Sequence, residues 1–100
     1  MAYKIIHSKI FLKQVIELNT YLETSWNLIV ASAFHEKLIK VIVIVSKQPG
    51  IGSPSKKREN IFKILVTKHN RLYYRINDNN SITLLTLFDT RQNPTRNKYD

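Results

Sequence analysis

The sequence contains no cysteine, which excludes disulfides and thiolate metal sites and fits a reducing compartment. Glycine and proline are scarce, at two and three residues in 100, and both glycines and two of the prolines fall between Pro49 and Pro54. No apolar run approaches the roughly 18 residues of a membrane span; the longest, Leu38 to Val45, is interrupted by Lys40. The N-terminus, Met1-Ala2-Tyr3-Lys4, lacks the successive basic, apolar and small-residue regions of a signal peptide. Acidic residues number only seven, with no paired-carboxylate motif, and His7, His35 and His69 lack metal-like spacing. These absences lead us to expect a cytoplasmic protein with no metal, no cofactor and no membrane partner.

What is present is an apolar share of 43% and sixteen basic residues, for a net charge of +9. One hundred residues suffice for one core and not for two, so residues 1–100 are expected to form a single domain. The charge is uneven. Residues 1–47 carry +3 and residues 48–100 carry +6, and every arginine lies in the second part. Arginine forks onto phosphate or carboxylate and stacks on flat rings, so its segregation points to an acidic partner for the C-terminal half.

Ala2 to His7 reads as a short strand, and Ser8 as the N-cap of a helix from Lys9 to about Thr24. Phe11, Val15, Leu18, Leu22 and Trp26 mark its apolar face. Ser25 or Asn27 restarts a second helix, with Ala31, Phe34, Leu38, Val41 or Ile42, and Val45 inward. The β-branched run Val41 to Val45 alone suggests a strand, but the period continued from Ala31 favours helix. Pro49 must end that helix, and residues 46–57 read as loop. Asn60 to Lys68, Arg71 to Asn77 and Ser81 to Phe88, separated by turns, predict a three-stranded antiparallel meander. Residues 89–100 have no apolar period and read as a tail. The fold class is therefore α+β, a strand and helix hairpin packed on a small antiparallel sheet.

Strand side chains alternate faces. Arg71, Tyr73 and Arg75 therefore share one surface, joined by Lys63 if the register allows, while Leu72, Tyr74 and Ile76 point to the core. Cations interleaved with aromatics on a sheet form a platform for phosphate contact and base stacking, although exposed strands also carry cations to prevent edge pairing. Lys56-Lys57-Arg58 is a second basic cluster, and Arg91, Arg96 and Lys98 beside Tyr99 form a third. If the tail folds back over the sheet, these merge into one groove. His69, between Lys68 and Arg71, is an acid–base candidate or a turn residue of no chemical use.

The order of elements, with Ala31-x-x-Phe34-x-x-x-Leu38, the following Pro49, Arg71-Leu72-Tyr73-Tyr74-Arg75-Ile76 and the exit Leu87-Phe88-Asp89-Thr90-Arg91-Gln92-Asn93-Pro94, resembles the RelE/ParE superfamily of type II toxins. The resemblance implies a growth-arresting toxin held by a cognate antitoxin. ParE-like members inhibit DNA gyrase, whereas RelE-like members cleave mRNA on the ribosome. In the second case the resemblance implies that Arg71 and Arg91 match phosphate-holding arginines and that His69 or Tyr99 would move protons, while Lys63 and Lys68 meet the family's lysine positions only loosely. The helix hairpin and the Arg-Gln-Asn-Pro exit look more like ParE or plasmid-stabilisation members. The leading expectation is a gyrase inhibitor; the alternative is the endoribonuclease. The binding surface expected is Lys63, Lys68, Arg71, Tyr73, Arg75, Arg91, Arg96 and Lys98.

Overall fold

Ser8 closes β1 (Lys4–His7) and opens α1 (Lys9–Ser25). Its backbone is extended, its hydroxyl oxygen accepts the Phe11 N–H at 3.0 Å, and its O–H donates to the Leu85 carbonyl at 3.0 Å. The computed structural model describes residues 2–91 and 98–99. One Ser8 hydroxyl thus caps the helix and fastens it to the sheet beneath. Asn27 opens α2 (Leu28–Lys47) in the same way, with Oδ1 accepting the Val30 N–H at 2.9 Å.

Phe11, Ala31, Phe34, Leu38 and Val45 are buried, each at the helical spacing read from the sequence. The Val41 to Val45 run is helical, because burial of the Leu38 and Val45 face outweighs the modest helix cost of β-branched side chains. Complete burial of a side chain such as Leu38 contributes about 1.5–3 kcal/mol. Trp26 departs from expectation. It follows the last residue of α1 with non-helical backbone angles, so its side chain leaves the Phe11 stripe and is 65% exposed.

Five strands form a mixed sheet in the order β1-β5-β4-β3-β2. The expected meander is present as β3 (Ile61–Thr67), β4 (Asn70–Ile76) and β5 (Ser81–Asp89), paired antiparallel. β1 adds to β5 in parallel, with Lys4 opposite Ser81 and His7 opposite Leu84. The loop expected over residues 46–57 is more structured than its composition suggests. Pro49–Ile51 make a 3-10 turn, and β2 (Ser53–Pro54) pairs with Phe62 and Lys63 of β3. Proline is tolerated there because β2 is an edge strand.

The helices cover one face of the sheet. Leu72, Tyr74, Ile82, Leu84 and Val66 from the strands join the buried helix residues in one cluster, and the Phe62 and Tyr74 rings stack at 5.9 Å. A bulge interrupts β5: Tyr73 faces Thr86 and Tyr74 faces Leu84, so Leu85 is the extra residue. Gln14 of α1 reaches into this irregularity. Its Oε1 accepts the Leu87 N–H at 2.8 Å and its Nε2 donates to Thr86 Oγ1 at 2.8 Å. Among the described residues no helix is long and apolar enough to cross a membrane, and no cluster of His, Asp or Glu has the makings of a metal site.

Candidate functional site

On the sheet face away from the helices, Lys63 of β3 lies directly opposite Tyr73 of β4. The Arg71 guanidinium donates to the Tyr73 hydroxyl at 3.1 Å, and Arg75 Nε donates to Asn77 Oδ1 at 3.0 Å. Strand alternation therefore places Lys63, Arg71, Tyr73 and Arg75 on one surface. Tyr73 nevertheless differs from the exposed platform read from the sequence, because it is fully buried. The tail supplies the cover. Tyr99 stacks on Tyr73 with ring centroids 5.7 Å apart and planes 28° from parallel.

The stack is enclosed by cations. The Arg58 guanidinium stands 5.9 Å from the Tyr99 ring centroid and the Lys98 ammonium 5.3 Å, both within cation–π range. Arg58 Nε donates to the Lys98 carbonyl at 3.4 Å, and the Ser55 hydroxyl donates to the Tyr99 carbonyl. Arg58 and Lys98, from two separate basic clusters, thus meet over β4. Arg58 has a larger part here than its place in the Lys56-Lys57-Arg58 cluster alone implies. Contact with a segment forty residues away leaves no trace in local sequence. Arg96 lies outside the described residues.

Arg91, His69 and Lys68 occupy different ground. Arg91 extends from the end of β5 and grips Asp89 with two hydrogen bonds, Nε to Oδ1 at 3.0 Å and Nη2 to Oδ2 at 2.8 Å. Those hydrogen bonds hold the Asp89 carboxyl below its usual range and raise the Arg91 guanidinium further. His69 stands in the β3–β4 turn, its backbone carbonyl accepting the Thr90 N–H at 2.9 Å; Lys68 beside it is exposed. His69, Asp89 and Arg91 line a cleft of about 690 Å³ beneath the tip of the helix hairpin, together with Tyr21, Trp26 and Phe34. The sequence reading missed this cleft. Its one local signal was a tryptophan at the junction between two helices, where no core exists to receive it.

The architecture has solved counterparts. A double arginine-to-alanine mutant of Escherichia coli toxin RelE in the free state matches with a TM-score of 0.66 at 21% identity, over 91% of this chain and 86% of that one. The RelBE2 toxin–antitoxin complex from Mycobacterium tuberculosis matches at 0.59 and 18% identity, over 89% and 99%. The YoeB dimer from Staphylococcus aureus matches at 0.59 and 12%, over 92% and 100%. No curated protein matches the chain. At such identities these likenesses establish the fold, the α+β architecture of RelE-like toxins.

The sequence is more specific than the fold. Residues 5–94 match the family described as the ParE toxin of the type II toxin–antitoxin system parDE, and the chain belongs to that family, within the RelE/ParE superfamily.

Proposed function

We propose that this type II toxin arrests growth by binding DNA gyrase, and that a cognate antitoxin neutralises it. The observation that carries this reading is the separation of the four candidate catalytic side chains. Arg71 and Tyr99 belong to the outer face, each in contact with Tyr73, whereas His69 and Arg91 line the cleft on the helix side, with Arg91 clamped by Asp89. General acid–base chemistry needs its groups within about 3 Å of the atoms that exchange the proton, directly or through one water. Two clusters on opposite sides of a sheet do not converge on one phosphate. A cationic surface that holds an acidic macromolecule needs no such convergence.

One observation favours the second reading, a ribosome-dependent mRNA endoribonuclease. Tyr99 over Tyr73, flanked by Arg58, Lys98 and Arg71, is an arrangement that also suits a stacked base and its phosphate.

Induced expression separates the two. Binding to gyrase predicts altered plasmid supercoiling and a DNA-damage response, with mRNA intact. Cuts at fixed codon positions would transfer the assignment to the endoribonuclease, and Arg71→Ala should then abolish them without unfolding the chain. Growth with neither effect refutes both readings.

A further inference from the structure

At the end of the sheet away from the hairpin tip, a second cleft of about 570 Å³ opens among the end of β4, the start of β5 and β1. Its wall is a chain of amide and hydroxyl groups. Asn77 Nδ2 donates to Ser81 Oγ at 3.0 Å and to Thr83 Oγ1 at 2.9 Å, and the Ser81 hydroxyl donates to Asn79 Oδ1. With both amide protons committed, Asn77 Oδ1 is left to accept, and it takes the Arg75 Nε proton at 3.0 Å. Arg75 is exposed, yet it is held by a network rooted in Ser81, which is buried.

A guanidinium fixed at Nε presents its two Nη groups as a fork. Arg91 engages that fork with Asp89 and Arg71 turns to Tyr73, but neither Nη group of Arg75 has a partner among the described residues. Lys4 of β1 lies opposite Ser81 and alternates with Ile6, which lines the cleft opposite Thr83, so Lys4 stands on the same rim. Its ammonium is likewise without a partner among the described residues, and the Thr83 hydroxyl keeps a proton to give. Donors from β1, β5 and β4 thus surround one opening. A carboxylate accepts in one plane, whereas a phosphate offers oxygens on several sides, as donors arriving from three strands require. Asp78 on the rim is exposed and makes no ion pair among the described residues, so it weakens the field without filling the site.

We infer that this cleft is a phosphate subsite and that its ligand is a backbone phosphate of a nucleic acid, gripped by Arg75 and Lys4. Asn77 is a positioning residue, which aims the Arg75 fork. Arg71 stands four residues from Arg75 on the same face of β4, about 14 Å away, and Lys63 lies across from Tyr73 between them. A series of cations suits a polyanion rather than a lone phosphate. The inference goes beyond the choice between gyrase and ribosome and depends on neither, because this chain alone makes the contact.

The test is the anisotropy of a short fluorescein-labelled DNA strand, titrated with the full chain over a range of salt. Arg75→Ala and Lys4→Ala should each weaken binding about five-fold or more and reduce the slope of log K against log salt by about one. Lys40→Ala, the same charge change on the exposed surface of α2, should stay within about two-fold. Arg75→Lys keeps the charge and loses the fork, and Asn77→Ala keeps the charge and loses the anchor. Both should weaken binding about three-fold or more with the slope unchanged. Asp78→Asn should tighten it. Circular dichroism and urea midpoints show which variants are folded; if Asn77→Ala is not, Arg75→Lys carries the same comparison. Equal losses for Lys40→Ala and Arg75→Ala would reduce the binding to net charge and overturn the inference. Displacement of the strand by inorganic phosphate at equal phosphate concentration would assign the cleft to free phosphate instead. Poly-glutamate competing as well as unlabelled DNA would assign it to an acidic protein, and either result refutes a nucleic-acid site. No binding at low salt removes the site altogether.

Discussion

Replacing Gly52 with alanine should destabilise the fold, although Gly52 has ordinary backbone angles, φ −74° and ψ 168°, open to any residue. The obstacle is space. A Cβ at Gly52 would stand 2.6 Å from the Tyr74 hydroxyl and 2.7 Å from the Lys63 carbonyl oxygen. The second neighbour is backbone of β3 and cannot swing aside as a side chain would. The same point is held by polar contacts: the Gly52 N–H donates to the Tyr74 hydroxyl at 3.0 Å, and that hydroxyl donates to the Pro49 carbonyl at 2.7 Å. Overpacking of this kind costs about 1–3 kcal/mol. Tyr74→Phe removes both hydrogen bonds and leaves two backbone groups without their partner, for a cost of about 1–3 kcal/mol.

The two changes share one contact, so they should not add. Phenylalanine at residue 74 relieves the clash with the hydroxyl but not the clash with the Lys63 carbonyl. The double variant should therefore fall short of the sum by about 0.5–1 kcal/mol, within the range of coupled neighbours. Urea denaturation of the four proteins measures each term, with an unchanged slope showing that stability alone has moved. In a domain of this size each kcal/mol corresponds to about 4–8 °C in melting temperature. Gly52→Ala tolerated within about 0.5 kcal/mol would refute the argument from close approach, as would strict additivity.

Two further outcomes follow from the same structure. Gln14→Ala leaves the Leu87 N–H at the β5 bulge unpaired and should cost about 1–3 kcal/mol, read as a lower denaturation midpoint and faster amide exchange at Leu87. Alkaline pH provides the other test. Burial raises the Tyr74 phenol above its usual value, an effect partly offset by the Gly52 N–H, so the folded state favours the protonated form. This contribution is fully present below about pH 10 and is lost as pH rises from there toward the folded value, because the unfolded chain releases its proton first. The melting temperature should thus fall more steeply above pH 10 in the native chain than in Tyr74→Phe. Parallel profiles would exclude Tyr74 as the titrating group.

Local periodicity determined much of this protein. Phe11, Ala31, Phe34, Leu38 and Val45 are buried where helical spacing puts them, and Ser8 and Asn27 cap the helices, because amphipathic order and capping are short-range properties. Alternation in β4 likewise placed Arg71, Tyr73 and Arg75 on one face, since the strand repeat of two leaves little freedom once the other face is the core, whereas the register that sets Lys63 opposite Tyr73 was left open until the sheet was formed. Tertiary structure decided what lies far apart in the chain. It set β1 against β5, let Gln14 repair a bulge seventy residues away, and buried Tyr73 beneath Tyr99. It also put Arg91 and His69 on the helix side of the sheet rather than with Arg71, dividing a candidate site that looked single in one dimension. Contacts of that range depend on how the sheet closes and where its end meets the hairpin tip, and no local pattern of residues encodes either.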